Sequence, residues 1–367
     1  MKILFTNFHG RNGGGHVTYI VNLLQGLVGQ HQVTVATPKS SRLYRHAQMI
    51  PGVKMVDMHY TTRPSSWLGP RAQLRKLIKQ DGYDIVHANG SADHKQVMLA
   101  LLGMRHRPKV IFTKHNEHAV TSFGHQLRAR LATDRVIAVS DHVNKLMMRS
   151  PYRRCGIVTV RHGIDTDFYA PVTHAQKMAA RIRFLGQGYE HKIVLGSAGG
   201  TDYEKGWLDL VQAVGSLDPT LRDRFHLIVA GDIPNEAKMA QVASAAMLDQ
   251  VSFPGLTDDV RDILAACDAG FVLSYQEALS FACRELMSMG LPVLITNAGG
   301  LPENLTDGVE GWIVPVKNSH AIAEVLKKIL AKPDLLITMG QAARSRALKE
   351  FNLHDFVART VSVYQQA

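Results

Sequence analysis

The chain has 367 residues, 46% of them hydrophobic, which is enough for two α/β domains of ordinary size, each with a full core. No run approaches the roughly 20 apolar residues of a membrane span, and KILF after Met1 is too short for a secretory leader, so a cytoplasmic protein is expected. Cys155, Cys267 and Cys283 are odd in number and lack metal-ligand spacing, which points to buried thiols rather than disulfides or zinc ligands. The net charge of +11 is concentrated in residues 1–165, which hold 24 Lys and Arg against 8 Asp and Glu. A basic face of that size suits an anionic membrane surface, an anionic glycan or nucleic acid. Nucleic acid is not expected, because no binding module is present and aromatic residues make up only 7% of the chain.

Residues 2–8 read as a buried strand, and from His16 the positions Val17, Ile20, Val21, Leu24, Leu27 and Val28 define one helix face. Between them, HGRNGGG forms a glycine loop whose Gly13, Gly14 and Gly15 let backbone approach a ligand. A strand, a glycine loop and a helix begin a Rossmann-type unit, yet the dinucleotide fingerprint fails. Thr18 stands where the third small residue belongs, and the strand at 32–37 ends without the acid that binds a nicotinamide ribose. NAD is therefore not expected.

Further strands are predicted at 53–57, 84–88, 109–113, 135–139 and 156–160, alternating with helical stretches as in a mostly parallel sheet. Ligands of such sheets bind off the carboxyl ends of the strands. His87 and His115 stand at or just after such ends. The stretches 71–79 and 124–135 are basic, with Arg71, Arg75, Lys76 and Lys79 around one helix and Arg128, Arg130 and Arg135 along the other; they read as solvated faces or as contacts with a membrane or acceptor.

A second alternation begins after Pro171, with strands predicted at 192–200, 225–232, 251–255, 270–274, 291–296 and 311–315. Within it, residues 274–303 read as loop, helix, buried strand and glycine turn. The helix starts near Ser280 and stops at Gly290, a C-cap glycine followed by Pro292. Glu277 precedes the helix and Glu285 lies one to two turns inside it, so the exposed N–H groups of its first turn, around Leu279, Ser280 and Phe281, fall between two carboxylates. At about 1.5 Å per residue the acids stand on the order of 10 Å apart. That span suits an extended sugar nucleotide: one acid at the sugar hydroxyls, N–H groups at the phosphates, the other acid at the ribose.

Glu277 to Glu285, followed by GLPV and AGGLPE, resembles the acid pair and glycine turn of the large retaining glycosyltransferase family that contains lipopolysaccharide-core, mannosyl- and sucrose-type transferases. The resemblance covers most of the chain. It implies the α/β architecture called GT-B: two Rossmann-like domains with an interdomain cleft, residues 1–170 on the acceptor side and residues 171–350 on the donor side. A final helix at about 351–367 is expected to pack back on the first domain. By the same resemblance, the loop with Gly14 and Gly15 faces donor and acceptor, His115 contacts one of them, and EKG (204–206) carries the phosphate-binding Lys205. Ser140 and HGIDTDFYAP (162–171) match family segments read as mainly structural. The family's arginine five or six positions before the lysine falls here on Gly199 or Gly200, and Ala278 stands where glycine is usual.

The implied activity is metal-independent, retaining transfer of a sugar from a nucleotide diphosphate, expected to be UDP-linked, to an acceptor hydroxyl, with no further cofactor. Lys205 and helix N–H groups would stabilise the leaving group. Glu277 would hold the sugar and Glu285 the ribose. The basic first domain would receive a lipopolysaccharide or another lipid-linked glycan, with the enzyme peripheral at the inner face of the cytoplasmic membrane. Two alternatives stay open: a GT-B sugar-nucleotide epimerase, which leaves the basic half unexplained, and a nucleic-acid-binding protein.

Overall fold

The computed structural model of the protein describes residues 1–61, 68–257 and 259–367. It comprises two units, Met1–Gly163 with Leu353–Ala367, and Ile164–Asn352. The division falls ahead of the expected boundary at 170 because Ile164 is bound to the end of the second unit, where its N–H donates to the Phe351 carbonyl at 2.8 Å. Its side chain is buried there with Leu286 and Phe351.

In the first unit, strands β1 (Lys2–Thr6), β2 (Gln32–Thr37), β3 (Val53–Asp57), β4 (Ile85–Ala88), β5 (Lys109–Lys114), β6 (Arg135–Ala138) and β7 (Ile157–Thr159) form one parallel sheet in the order β3-β2-β1-β4-β5-β6-β7. Ile3, Leu4 and Phe5 on β1 and Val110 and Ile111 on β5 are completely buried, as continuous apolar runs in a doubly covered sheet require. The strand order reverses between β1 and β4. The glycine loop after β1 and Asn89 after β4 therefore stand at the switch point where ligands of such sheets bind.

The helix Leu353–Gln365 belongs to this unit and packs on Gly15–Leu27. Tyr19 meets Phe356 edge to face at 5.1 Å, and a Cβ on Gly26 would come within 2.5 Å of Val357. The basic helix predicted at 71–79 spans Leu68–Asp81. Arg75 is partly buried there: its Nη1 donates to the carbonyls of Ala100 and Leu102, both at 2.7 Å, and so closes the end of the neighbouring helix Ser91–Leu101.

In the second unit, β8 (Ile193–Ser197), β9 (Phe225–Val229), β10 (Val251–Ser252), β11 (Ala269–Val272), β12 (Val293–Thr296) and β13 (Gly311–Val314) form a parallel sheet in the order β10-β9-β8-β11-β12-β13. Here the switch point lies between β8 and β11. β8 and β9 end sooner than the sequence predicts, at Ser197 and Val229, and the loops that follow hold Gly200 and Gly231 with positive φ, +92° and +151°. Among the described residues no helix is long and apolar enough to cross a membrane.

Candidate active site

Three loops meet at the carboxyl ends of β8, β11 and β12. The first carries Lys205 at the end of a 3-10 turn, Tyr203–Lys205, followed by Gly206. Gly206 adopts φ +65°, and a Cβ there would lie 2.0 Å from the Leu273 carbonyl oxygen. Only glycine lets the two loops approach this closely. The contact continues in the Tyr275 N–H, which donates to the Glu204 carbonyl at 2.8 Å. Lys205 Nζ lies 3.5 Å from Glu277, whose carboxylate also meets Ser274 Oγ at 3.5 Å. Both side chains are partly exposed. The Glu277 backbone is held from the third loop, where the Gly300 N–H donates to its carbonyl at 2.9 Å.

The helix after this loop runs over Phe281–Ser288. Its N-cap, Ser280, has φ +89°, a conformation that β-carbon-bearing residues rarely adopt and that concentrates at functional sites. Ser280 Oγ accepts the Cys283 N–H at 3.3 Å. Leu279 and Ala278 before it are buried. Ala278 is not among the positive-φ residues, so the backbone does not require glycine at that position; the left-handed turn falls on Ser280 instead. The helix ends as predicted, with Gly290 at φ +74°.

Glu285 is 8% exposed. It accepts a hydrogen bond from the Tyr169 hydroxyl, which burial and the adjacent carboxylate push above the ordinary phenol range. Beside it Arg284, fully buried, donates Nε to Asn304 Oδ1 at 2.9 Å and lies over the Phe351 ring at 4.2 Å. Asn304 in turn donates to the Leu279 carbonyl and so fastens the loop that precedes the helix. Tyr169, Arg284 and Asn304 had no signal in the sequence reading, which placed 162–171 as structural. By the ribose-binding role the resemblance implies for Glu285, replacing it with alanine is expected to weaken UDP binding ten- to a hundred-fold by calorimetry, through loss of charge-assisted hydrogen bonds of about 1.5–3 kcal/mol. Tyr169→Phe should weaken it less. Equal affinity for the wild type and the Glu285 variant would remove that residue from the site.

The sequence positions of the missing arginine, Gly199 and Gly200, lie in the β8 loop, where Gly199 N–H bonds Ser197 Oγ at 3.2 Å. The cationic partner of Glu277 is Lys205. An Asp-x-Asp sequence occurs at Asp165, Thr166 and Asp167. Asp165 Oδ1 accepts the N–H groups of Asp167 and Phe168 at 3.0 and 2.9 Å, which closes a local turn. No group of three or more His, Cys, Asp or Glu is placed to hold a metal among the described residues.

The first unit brings a second set of residues to the ends of β1, β4 and β5. Gly13 and Gly14 take φ +70° and +49°, and Gly15 opens the helix Gly15–Leu27. His115 donates Nε2–H to Asn89 Oδ1 at 3.1 Å and sits between two rings, His16 at 4.2 Å and Tyr19 at 4.6 Å. His9 meets His16 at 4.6 Å. Burial holds His115 well below the ordinary histidine range and lowers His16 to about 3, with His9 and Lys114 adding to the effect on His16. These imidazoles are neutral at pH 7 and can exchange hydrogen bonds with hydroxyl groups. His87 has a different place. It is completely buried and bonded to Tyr364 at 2.7 Å and Thr113 at 2.6 Å, so it belongs to the core. Ser140 caps the helix Asp141–Met148 by accepting the Val143 N–H at 3.1 Å, in keeping with a structural part.

Comparison with known proteins follows the same division. Residues 179–346 match the family model described as Glycosyl transferases group 1, and residues 13–168 match the one described as Glycosyltransferase Family 4. The 2-deoxystreptamine glucosyltransferase of Streptomyces kanamyceticus is 30% identical over 57% of this chain and 54% of its own length. The match to the N-acetyl-alpha-D-glucosaminyl L-malate synthase of Bacillus anthracis covers 41% of that relative, so the chain spans about half the length of these two proteins. The D-inositol 3-phosphate glycosyltransferase of Kribbella flavida is 27% identical over 97% of this chain and 91% of its own. Among solved structures, Anabaena HepE in complex with UDP-glucose superposes with a TM-score of 0.82 at 19% identity, covering both chains fully. WaaG, a glycosyltransferase involved in lipopolysaccharide biosynthesis, gives 0.73 at 17% identity with the same coverage.

Proposed function

We propose, for a chain that belongs through both of its GT-B domains to the glycosyltransferases of group 1 and family 4, that it transfers a sugar from a nucleotide diphosphate to an acceptor hydroxyl with retention at the anomeric carbon. The observation that carries this reading is the meeting, within one unit, of Lys205, Glu277 and the short helix that buries Glu285. Lys205 and the first N–H groups of that helix neutralise the diphosphate as the glycosidic bond breaks. Glu277 binds hydroxyls of the donor sugar, Glu285 binds the ribose, and Tyr169 orients Glu285. No protein nucleophile is needed if the acceptor attacks from the face the diphosphate leaves and gives its proton to that phosphate. On this reading catalysis needs no metal, and the nucleotide sugar, with UDP as the base-bearing group, is the only co-substrate. The structure of HepE in complex with UDP-glucose supports the choice of UDP.

The first domain receives the acceptor, with His115 and the glycine loop at the strand ends. Its excess of basic residues supports an anionic, lipid-linked glycan such as lipopolysaccharide, met at the inner face of the cytoplasmic membrane. UDP release from a panel of UDP-sugars should then rise when a glycan acceptor is added, and proton NMR of the product should show the donor's own anomeric configuration. An inverted product would refute retention; acceptor-independent conversion to another UDP-sugar would identify an epimerase instead. Sedimentation with anionic vesicles at low salt, lost at 1 M salt, should accompany it, since the Debye length falls from about 10 Å to about 3 Å between 0.1 and 1 M. Equal binding to neutral vesicles would count against the membrane surface.

A further inference from the structure

The loop between β11 and the helix Phe281–Ser288 is tied to the end of β12 and the segment after it through three of its carbonyls. Thr296 Oγ1 donates to Ser274 at 2.6 Å, the Gly300 N–H to Glu277 at 2.9 Å, and Asn304 Nδ2 to Leu279. The third bond differs in what it holds. The Leu279 carbonyl lies in the same planar peptide as the Ser280 nitrogen, so a bond that fixes its direction also holds the φ of Ser280. That residue stands at φ +89° and ψ +114°. The left-handed well open to residues with a Cβ reaches only to about +70° in φ and about +60° in ψ. Ala246 and Lys317, with φ +54° and +57°, stay within its φ range, and Ser280 does not. The Ser280 side chain itself contributes one long bond, accepting the Cys283 N–H at 3.3 Å.

A backbone in such a conformation persists where its surroundings over-determine it. Asn304 supplies that restraint from a fully buried position at the end of the 3-10 turn Leu301–Asn304. Its Nδ2 also donates to the Leu301 carbonyl at 2.9 Å, and its Oδ1 accepts Arg284 Nε at 2.9 Å. The amide therefore has one orientation: turned over, its oxygen would face two carbonyls and its NH2 group a guanidinium. Arg284 is in turn fixed over the Phe351 ring.

We infer that Asn304 is a positioning residue for donor binding: by locking the Leu279–Ser280 peptide it keeps Ser280 in its strained turn and aims the first N–H groups of the helix at the diphosphate. Released, Ser280 would relax to negative φ and swing the peptide ahead of the helix, so that those N–H groups would no longer converge. Being fully buried, Asn304 touches no substrate and acts only through the loop. This rests on the reading of the loop and helix as the diphosphate site.

The test is a double-substitution cycle read by UDP calorimetry on the full-length protein. Asn304→Ala should weaken UDP binding about tenfold or more, since the strain at Ser280 must then be overcome at each binding event. In a Ser280→Gly background, where positive φ carries no steric penalty, the same substitution should weaken it about threefold or less. In a Ser280→Ala background, which loses Oγ but keeps Cβ, the full loss should remain. Asn304→Asp, which keeps an oxygen for Arg284 and removes the N–H donor, serves in the same cycle if Asn304→Ala does not fold. A merely structural Asn304 would lower thermal stability in every background without this pattern. Unchanged UDP affinity in folded Asn304 variants, or equal losses in the serine and glycine backgrounds, would overturn the inference. Hydrogen exchange at the Gly300 amide, which is bonded to the Glu277 carbonyl, reads the same loop without ligand; faster exchange in the Asn304 variants, slowed again by Ser280→Gly, is expected. Protein whose exchange follows the cycle but which does not bind UDP keeps the lock at Ser280 and loses the transferase reading, and UDP binding that ignores the cycle loses only this inference.

Discussion

Lys205→Ala is expected to lower turnover on the order of a hundred- to a thousand-fold while weakening UDP binding by about tenfold or less. The asymmetry comes from where charge grows. On the proposed function, the ground-state diphosphate charge is already partly met by solvent and helix N–H groups, but as the glycosidic bond breaks further negative charge collects on the leaving oxygen, and a cation fixed nearby gains most there. Glu277, 3.5 Å from the ammonium, keeps Lys205 at the loop end. The arginine usual in the resembling family is replaced by glycine at 199 or 200, so little side-chain charge remains once the lysine is gone. Lys205→Arg should recover part of the rate. Calorimetry with UDP and steady-state release of UDP provide the two numbers, and a loss confined to binding would show that Lys205 does not act in the transition state.

Acid should unfold the first domain. His16, His87 and His94 are each lowered by burial from 6.5 to about 3. They are neutral in the folded domain, whereas in the unfolded chain they take up protons as pH falls through 6.5. Between pH 6.5 and about 3 the unfolded state therefore holds more protons, so stability is greatest above 6.5 and declines below it, by about 1.4 kcal/mol per pH unit for each histidine. Asp93 acts in the opposite sense. Burial raises it from 3.8 to about 7, so in that window the folded state holds the extra proton and offsets one histidine. Two uncompensated groups leave a slope of about 2.7 kcal/mol per unit, large beside a net stability of about 5–15 kcal/mol. Urea titrations at pH 7 and pH 5, read through signals of the first domain, should show a much lower midpoint at pH 5. An unchanged midpoint would mean that these histidines are already protonated, or accessible, in the folded domain.

The division of labour between sequence and tertiary structure can be followed in particular residues. The strands at 2–8, 109–113 and 291–296 were legible because a strand buried on both faces must be a continuous apolar run, a demand each segment carries locally. Gly290 ended its helix because a left-handed C-terminal position selects glycine within a few residues of the helix itself. The placing of Glu277 before that helix and Glu285 within it followed from spacing alone. By contrast, Arg75 read as a solvated charge and instead closes the helix Ser91–Leu101, and His87 stood at a strand end like His115 yet is locked to Tyr364 from the far end of the chain. Tyr169 on Glu285 and Asn304 on Arg284 were equally invisible. Periodicity records which face of an element is buried, because burial is a property each element satisfies by itself. Which side chains meet at the strand ends depends on the order of strands in the sheet, and that order joins residues whose separation along the chain leaves no local pattern to read.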